Sequence, residues 1–451
     1  MMEDQSGRNP IMSWDYGIEN GTYSTNIATF EMFKLNPDLK MAISKCGFEQ
    51  PTKVQEECIP KVCSGMDLLC EAPNGIGKTM VYMVASLQAL PSEKEGVSTI
   101  VICPTRELAL QVGEQFKRVC QFLPEVKTQT FFGGLPISRD ETILLENTPD
   151  IVIGTPGRLF ELVKTRKLNL HQIKHFIIDE CDEIFNNVST RCTVQQIFVA
   201  TPQEKQVMMF SATIPGETRL VCKKFMNEPF DFCIEDDIKS SLRGLEQYYI
   251  STEHSRKTRA LLEYIGYWKF DQALIFVANS KKCDVLAHVL NKLDYYTVSI
   301  HKGMSQTERM DRYKGFIDAK KRILVTTNLF GRGMNNHRID LVINYDIPQT
   351  VITYLHRVTR IRHFGDKAHV LSLVGSEKDA TLLTQVQQEF DIDITEMARK
   401  SSISKRNMTS NGGNIPTTLA SEEDDTNRQR SILWAEETMN TLCSELENIN
   451  F

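Results

Sequence analysis

Between Asp67 and Phe210, six short runs of apolar, β-favouring residues follow one another: Asp67–Cys70, Thr99–Cys103, Thr128–Phe132, Asp150–Ile153, His175–Ile178 and Gln206–Phe210. Most are apolar throughout rather than alternating with polar residues. A strand that is apolar on both faces has to be covered on both faces, as in a parallel sheet wrapped by helices. The intervening segments Glu107–Phe122 and Val194–Ala200 suit crossover helices. A second series then restarts the alternation: Ala273–Val277, Tyr296–Ile300, Arg322–Thr326, Leu341–Tyr345 and His369–Val374. The fold class is therefore α/β, with two tandem parallel-sheet lobes over 27–237 and 246–398. Polar Glu235–Leu245 separates the two series, and a linker is placed at 238–245.

The flanks read differently. Residues 1–26 are polar and aperiodic, the pattern of a flexible arm, and 399–430 is rich in Ser, Asn, Gly and Thr, the composition of a disordered segment. At the end of the chain, Ile432, Ala435, Met439, Leu442, Leu446 and Ile449 line one face of a helix over 431–451. Such a face either docks on the second lobe or binds a partner protein.

A chain of 451 residues suits two or three domains. Its 52 Lys and Arg against 58 Asp and Glu leave a net charge of −6. Nucleic acid held by bulk positive charge is thereby excluded, and any such site must be local. No stretch approaches the ~18 apolar residues of a membrane span, and the polar start has no apolar targeting core. Twelve cysteines without a C-x-x-C pair read as reduced thiols of a cytosolic or nuclear protein. The nine histidines form no H-E-x-x-H, so a zinc site has no support.

Ala72-Pro73-Asn74-Gly75-Ile76-Gly77-Lys78-Thr79 follows one apolar strand and opens a helix over Met80–Leu90. Gly75 and Gly77 let backbone N–H groups approach phosphate oxygens, while the helix N-terminus favours an anion. Lys78 would reach the outer phosphates, and the Thr79 hydroxyl would ligate Mg²⁺. A bare Gly-rich turn is the alternative. The strand His175–Ile178 ends abruptly in Asp179-Glu180-Cys181-Asp182. A carboxylate at the end of a neighbouring parallel strand suits the second metal contact, Asp179, and Glu180 is placed to orient or deprotonate a water. Alone, that run could be a solvated acidic turn; together with Lys78-Thr79 it points to nucleotide hydrolysis.

With these motifs in order, residues 28–398 resemble a DEAD-box RNA helicase, and Asp179-Glu180-Cys181-Asp182 resembles the DECD branch that serves pre-mRNA splicing and mRNA export. The resemblance implies two RecA-like lobes of the P-loop NTPase type that use ATP and Mg²⁺ on single-stranded or locally duplexed RNA. The adenine-reading motif resembles Gly47-Phe48-Glu49-Gln50-Pro51-x-x-x-Gln55, with Phe30 upstream. Gln55 would pair with adenine and Phe48 would offer a stacking face. Ser211-Ala212-Thr213 resembles the motif that couples hydrolysis to strand separation. RNA contacts would come from Pro104, Thr105, Arg106, Gly133, Gly134, Thr155, Gly157 and Arg158 in the first lobe. Gly303, Arg309 and Thr327 would supply them in the second. Small and hydroxylated residues suit phosphate and ribose contacts, which carry little base preference. Nuclear localisation, a THO-type export complex and export adaptors are implied by the resemblance alone.

Two positions depart from the family pattern. In Arg332-Gly333-Met334-Asn335 the family's carboxylate is replaced by Asn335. An acceptor oxygen for the ribose remains, so the loss is about 1 kcal/mol. In Tyr354–Gly365, Arg360 matches the first arginine that acts on the phosphates, but His363 stands where the second belongs, with Arg362 beside it. An imidazole replaces a planar, always-charged fork poorly. Arginine fingers are worth about 10³–10⁵ in rate, so His363 weighs more than Asn335. Three activities remain in view: an ATP-dependent RNA helicase, an ATP-gated RNA clamp with weak turnover, and an unrelated P-loop enzyme. The last leaves the second lobe unexplained.

Overall fold

The computed structural model describes residues 29–73, 75–91, 96–234, 242, 244–265, 268–328, 338–361, 368–397, 432–439 and 441. The expected N-terminal arm, the 399–430 segment, Asn335, Arg362 and His363 lie outside the described residues, as does most of the expected linker. The chain forms two compact units, the first ending among its described residues at Ile234 and the second beginning at Leu242. Leu242 itself is fully buried and accepts a hydrogen bond from the Gln247 amide at 3.1 Å.

The first unit holds one sheet. Its strands are β1 (Leu68–Glu71), β2 (Thr99–Ile102), β3 (Thr128–Phe131), β4 (Ile151–Gly154), β5 (His175–Asp179), β6 (Gln206–Ser211) and β7 (Phe230–Cys233). They lie in the order β3-β4-β2-β5-β6-β1-β7, every pair parallel. The continuous apolar runs are explained by two cores. Val101, Ile153, Ile177 and Met208 face one layer with Val81, Val84 and Phe116, while Ile100, Val152, Phe176 and Met209 face the other with Leu159, Leu162 and Ile197. Successive strand residues point to opposite faces, so an all-apolar strand feeds both layers.

The second unit repeats this plan. Its strands are β8 (Glu246–Ser251), β9 (Gln272–Phe276), β10 (Thr297–Ile300), β11 (Ile323–Thr326), β12 (Ile339–Asn344), β13 (His369–Val374) and β14 (Thr395–Glu396). The order β10-β11-β9-β12-β13-β8-β14 is that of the first sheet advanced by seven, again all parallel. Helix Lys257–Ile265 therefore follows β8 as helix Lys78–Gln88 follows β1, and both begin Lys-Thr. In the second unit the lysine is satisfied internally. Buried Lys257 donates to Tyr345 O at 3.0 Å and lies 3.5 Å from the Asp346 carboxylate.

Strands β7, β8 and β14 have no counterpart in the sequence reading. The first two interleave polar and apolar residues, FDFC and EQYYIS, with mixed burial, and β14 is two residues long. None presents the continuous apolar run that marks most of the other strands. Helix Val188–Val199 begins six residues before the expected Val194, capped by the Asn187 side chain, which accepts from Thr190 N at 3.1 Å. At the C-terminus, residues 432–439 are helical, with Ala435 and Met439 buried in the second unit's core and Ile432 packed against it. Over residues 432–439 the helix therefore docks on its own lobe, while Leu442, Leu446 and Ile449, the rest of the expected stripe, lie outside the described residues. Leu433 and Trp434, off the stripe, are exposed.

At the start of β5, His175 is buried, with Nδ1 3.3 Å from the Thr99 hydroxyl on β2. Burial, aided by Lys174, pushes its pKa down to about 4. The native state holds the imidazole neutral while the unfolded chain protonates near the ordinary value, so stability is lost as pH falls from about 6.5 to about 4. Replacing His175 with Gln is expected to flatten this acid limb by on the order of 2–3 kcal/mol, read as melting temperature against pH.

Candidate nucleotide and RNA sites

Sheet order divides the candidate residues of the first unit into two groups along one edge. Pro104–Arg106 follows β2, Gly133–Gly134 follows β3 and Thr155–Arg158 follows β4; these three strands are neighbours on one side. Lys78, Asp179 and Ser211 belong to the ends of β1, β5 and β6, which are neighbours on the other side. The C-terminal edge of a parallel sheet is where such folds bind ligands.

The phosphate-loop candidate turns on two glycines in the left-handed region, Gly75 at φ +87° and Gly77 at φ +90°. A side chain at Gly77 would meet Gln55 Nε2 at 2.1 Å, because Gln55 lies directly against the loop. Gln55 donates to Gly77 O at 3.2 Å and accepts from Thr52 N at 2.9 Å, while the Thr52 hydroxyl donates to Ile76 O at 2.8 Å. Thr52 and Gln55 form a capping box at the start of helix Lys53–Cys63. The sequence reading missed Thr52, although Thr-x-x-Gln before an apolar helix carries that signature. Lys78 is buried and donates to Ala72 O at 2.6 Å. Thr79 is half-buried in the first turn of the same helix. A Cβ at Gly75 would stand in open space. An ammonium and a helix N-terminus beside two left-handed glycines form a cradle for an anion.

Asp179 is buried at the end of β5. Its Oδ2 accepts from the Tyr82 hydroxyl at 2.9 Å and its Oδ1 from Glu180 N at 3.0 Å. Burial, reinforced by the adjacent Glu180, raises its pKa to about 6, against the opposing pull of Lys78, Tyr82 and the Glu180 amide. A carboxylate this reluctant to ionise suits a place beside a cation. Tyr82 escaped the sequence reading, since it sits inside an apolar helix where a tyrosine looks like core. Glu180 has φ +52° and ψ +54°, a left-handed conformation that costs a non-glycine residue about 1 kcal/mol. Asp182 receives the Ser211 hydroxyl at 2.7 Å, and Thr213 N donates back to Ser211 Oγ at 3.4 Å. The acidic run and the Ser211–Thr213 segment thus meet side chain to side chain.

Phe48 is half-buried with the Arg118 guanidinium 5.7 Å from its ring centre, and Phe30 is buried in the core. On the other half of the edge, Thr105 caps helix Arg106–Cys120 by accepting Leu108 N at 3.3 Å. The Arg106 guanidinium lies over Gly133, where a Cβ would meet Nη2 at 3.3 Å. Gly134 and Gly157 are exposed, Pro104 and Thr155 half-buried. Arg158 is buried, pairs with Asp140 and donates to Leu135 O, so its guanidinium braces the segment after Gly134.

In the second unit Gly303 and Thr327 follow neighbouring strands β10 and β11. Gly303 N donates to His301 Nδ1 at 3.2 Å, and His301 Nε2 meets Asp284 at 2.8 Å. Arg309 and Arg360 are buried, with Arg360 Nε donating to His356 O at 2.9 Å. Fully buried Arg357, unremarked in the sequence, binds Asn344 Oδ1 and Asn328 Oδ1, each at 2.9 Å.

Comparison with known proteins agrees with this architecture. Residues 52–221 match the DEAD/DEAH box helicase family, and residues 256–365 match the helicase conserved C-terminal domain. The ATP-dependent RNA helicase WM6 of Drosophila melanogaster is 45% identical over 386 residues, 85% of this chain and 91% of the relative. The human ATP-dependent RNA helicase DDX39A is 44% identical over 387 residues, 86% and 91% of the two chains. Among solved structures, S. cerevisiae Dbp5 bound to RNA and ADP BeF3 is similar at a TM-score of 0.75 and 25% identity, covering 82% of this chain and 95% of that one. With two parallel-sheet units of one strand order, an ordered motif series and relatives of this extent, the chain belongs to the DEAD/DEAH box helicases.

Proposed function

We propose that this protein is an ATP-dependent RNA helicase of the DECD type, acting in pre-mRNA splicing and mRNA export in the nucleus. The observation that carries the reading is a continuous hydrogen-bond chain in the first unit. Lys78 binds Ala72 O, Ala72 N binds Ser211 O at 3.0 Å, and the Ser211 hydroxyl binds Asp182, two residues beyond Glu180. Phosphate loop, acidic strand end and Ser211–Thr213 segment are one mechanical unit, as an enzyme that converts hydrolysis into strand separation requires.

ATP is the nucleotide of this family, and its phosphates suit the loop from Gly75 to Lys78. The donor set also suits Mg²⁺: Thr79 and Asp179 would hold it, supplying charge neutralisation to the phosphates. Glu180 orients and deprotonates the attacking water, and Arg360 in the second unit is the arginine that matches the family's first phosphate-directed one. Gln55, anchored to both Thr52 and Gly77, couples adenine recognition to loop geometry. Ribose and phosphate contacts from the β2, β3 and β4 ends would hold RNA without base preference. A THO-type complex and export adaptors are the partners this reading carries.

His363 and Asn335 favour a second reading, an ATP-gated RNA clamp with weak turnover. Steady-state ATP hydrolysis by the full chain, with and without single-stranded RNA, separates the two. Robust RNA-stimulated turnover supports the helicase; RNA binding that needs ATP without turnover supports the clamp.

A further inference from the structure

At the end of β1, one carboxylate joins the phosphate loop to the segment leaving β6. Glu71 is the last residue of β1 and stands in register with Ser211. Its Oε1 accepts from Ile214 N at 2.8 Å, and its Oε2 pairs with the Arg219 guanidinium. Arg219, on helix Gly216–Lys223, also pairs with Asp231 of β7, to which Lys223 adds a contact at 2.8 Å. The next residue, Ala72, donates to Ser211 O and accepts from Lys78. The Ser211–Ile214 segment is therefore held at both ends from two adjacent residues, the last of β1 and the one after it: Ser211 by Ala72, Ile214 by Glu71.

The strand ladder explains only the first of these ties. β1 and β6 are already paired through Glu71 and Ser211, and Ile214 lies beyond the ladder, where the chain leaves the sheet. A mostly buried carboxylate that accepts a backbone N–H and is aimed by a guanidinium is a strong, directional joint. Its side chain is 15% exposed, so water competes poorly for it.

We infer that Glu71, oriented by Arg219, is a positioning residue that keeps the Ser211–Ile214 segment in step with the phosphate loop, coupling strand separation to ATP hydrolysis. This rests on the helicase reading above. Glu71 touches neither nucleotide nor RNA in this role; it acts through Ile214.

The test compares the full chain with Glu71→Ala, Glu71→Gln and Arg219→Ala. RNA-stimulated kcat, KM for ATP, melting temperature and short RNA duplexes separated per ATP hydrolysed are recorded for each. Glu71→Ala is expected to lower duplexes separated per ATP about tenfold with little change in KM. Glu71→Gln, whose amide oxygen still accepts from Ile214, restores most of that ratio, and Arg219→Ala falls between. A merely structural role would lower the melting temperature and leave the ratio alone, which overturns the inference, as does a Gln variant no better than Ala. If Glu71→Ala does not fold, an unchanged ratio in Arg219→Ala overturns it equally. A natural chain without RNA-stimulated hydrolysis would remove the helicase reading itself, a distinct result visible before any variant is made.

Discussion

Glu180→Gln is expected to lower RNA-stimulated ATP hydrolysis by about three orders of magnitude while leaving nucleotide affinity nearly unchanged. The reasoning starts from local geometry. Glu180 is buried, left-handed and bonded through its own N–H to Asp179. Glutamine keeps the side-chain shape, the backbone conformation and that N–H. It removes only the proton acceptor and the negative charge. Because the Glu180 charge adds to burial, the larger cause, in holding the Asp179 carboxyl up at about 6, the substitution also lowers the Asp179 pKa. Binding, which needs Asp179 ionised, is thereby spared while the chemical step is lost. Single-turnover hydrolysis and nucleotide titration on the same preparation check both halves. Equal rates for natural chain and variant would mean that Glu180 plays no part in proton transfer, or that the natural chain already lacks turnover.

The second result separates those two explanations. His363→Arg is expected to raise kcat by at least about a hundredfold if the family's second arginine is what this chain lacks. An arginine fork stays charged at any working pH and meets phosphate oxygens in pairs, whereas imidazole is shorter and largely neutral above its pKa. KM for ATP should move little, since the phosphate loop, Gln55 and Asp179 belong to the first unit. A natural rate equal to Glu180→Gln and rescued by His363→Arg would establish the clamp. A fast natural rate that His363→Arg does not raise would show that histidine, or Arg362 beside it, suffices.

Strand order and burial explain why much of this was legible beforehand. Eleven strands announced themselves because parallel strands covered on both faces are mostly apolar, and the remainder, such as TQTF, are β-favouring runs between helical segments. Strands β7, β8 and β14 were not legible, since FDFC, EQYYIS and a two-residue pair lack such runs. The phosphate loop and acidic strand end were visible because glycines, lysine and carboxylates at strand ends have few structural reasons to cluster. Thr52, Tyr82 and Glu71 stayed hidden for the opposite reason: each is an ordinary residue whose role lies in its partner. Arg158 shows the converse, a residue placed by motif at the RNA edge whose guanidinium is occupied by Asp140.

The residue order alone determined the α/β class, two lobes and the chemistry on offer, because those follow from periodicity and from which side chains can bind phosphate and metal. It also determined that bulk charge would not hold nucleic acid. Only the tertiary structure decided which neighbours complete each group. Two Lys-Thr helix starts occupy the same station in two sheets of one order. At Lys78 the preceding loop carries left-handed Gly75 and Gly77, and the carboxylate at the end of β5 is tied to Tyr82. At Lys257 the lysine is spent on Tyr345 O and the nearby Asp346. Likewise the C-terminal stripe was plain in the sequence, but its destination was not. A hydrophobic face records that something must cover it, and only packing in three dimensions, here Ala435 and Met439 in the second core, says what does.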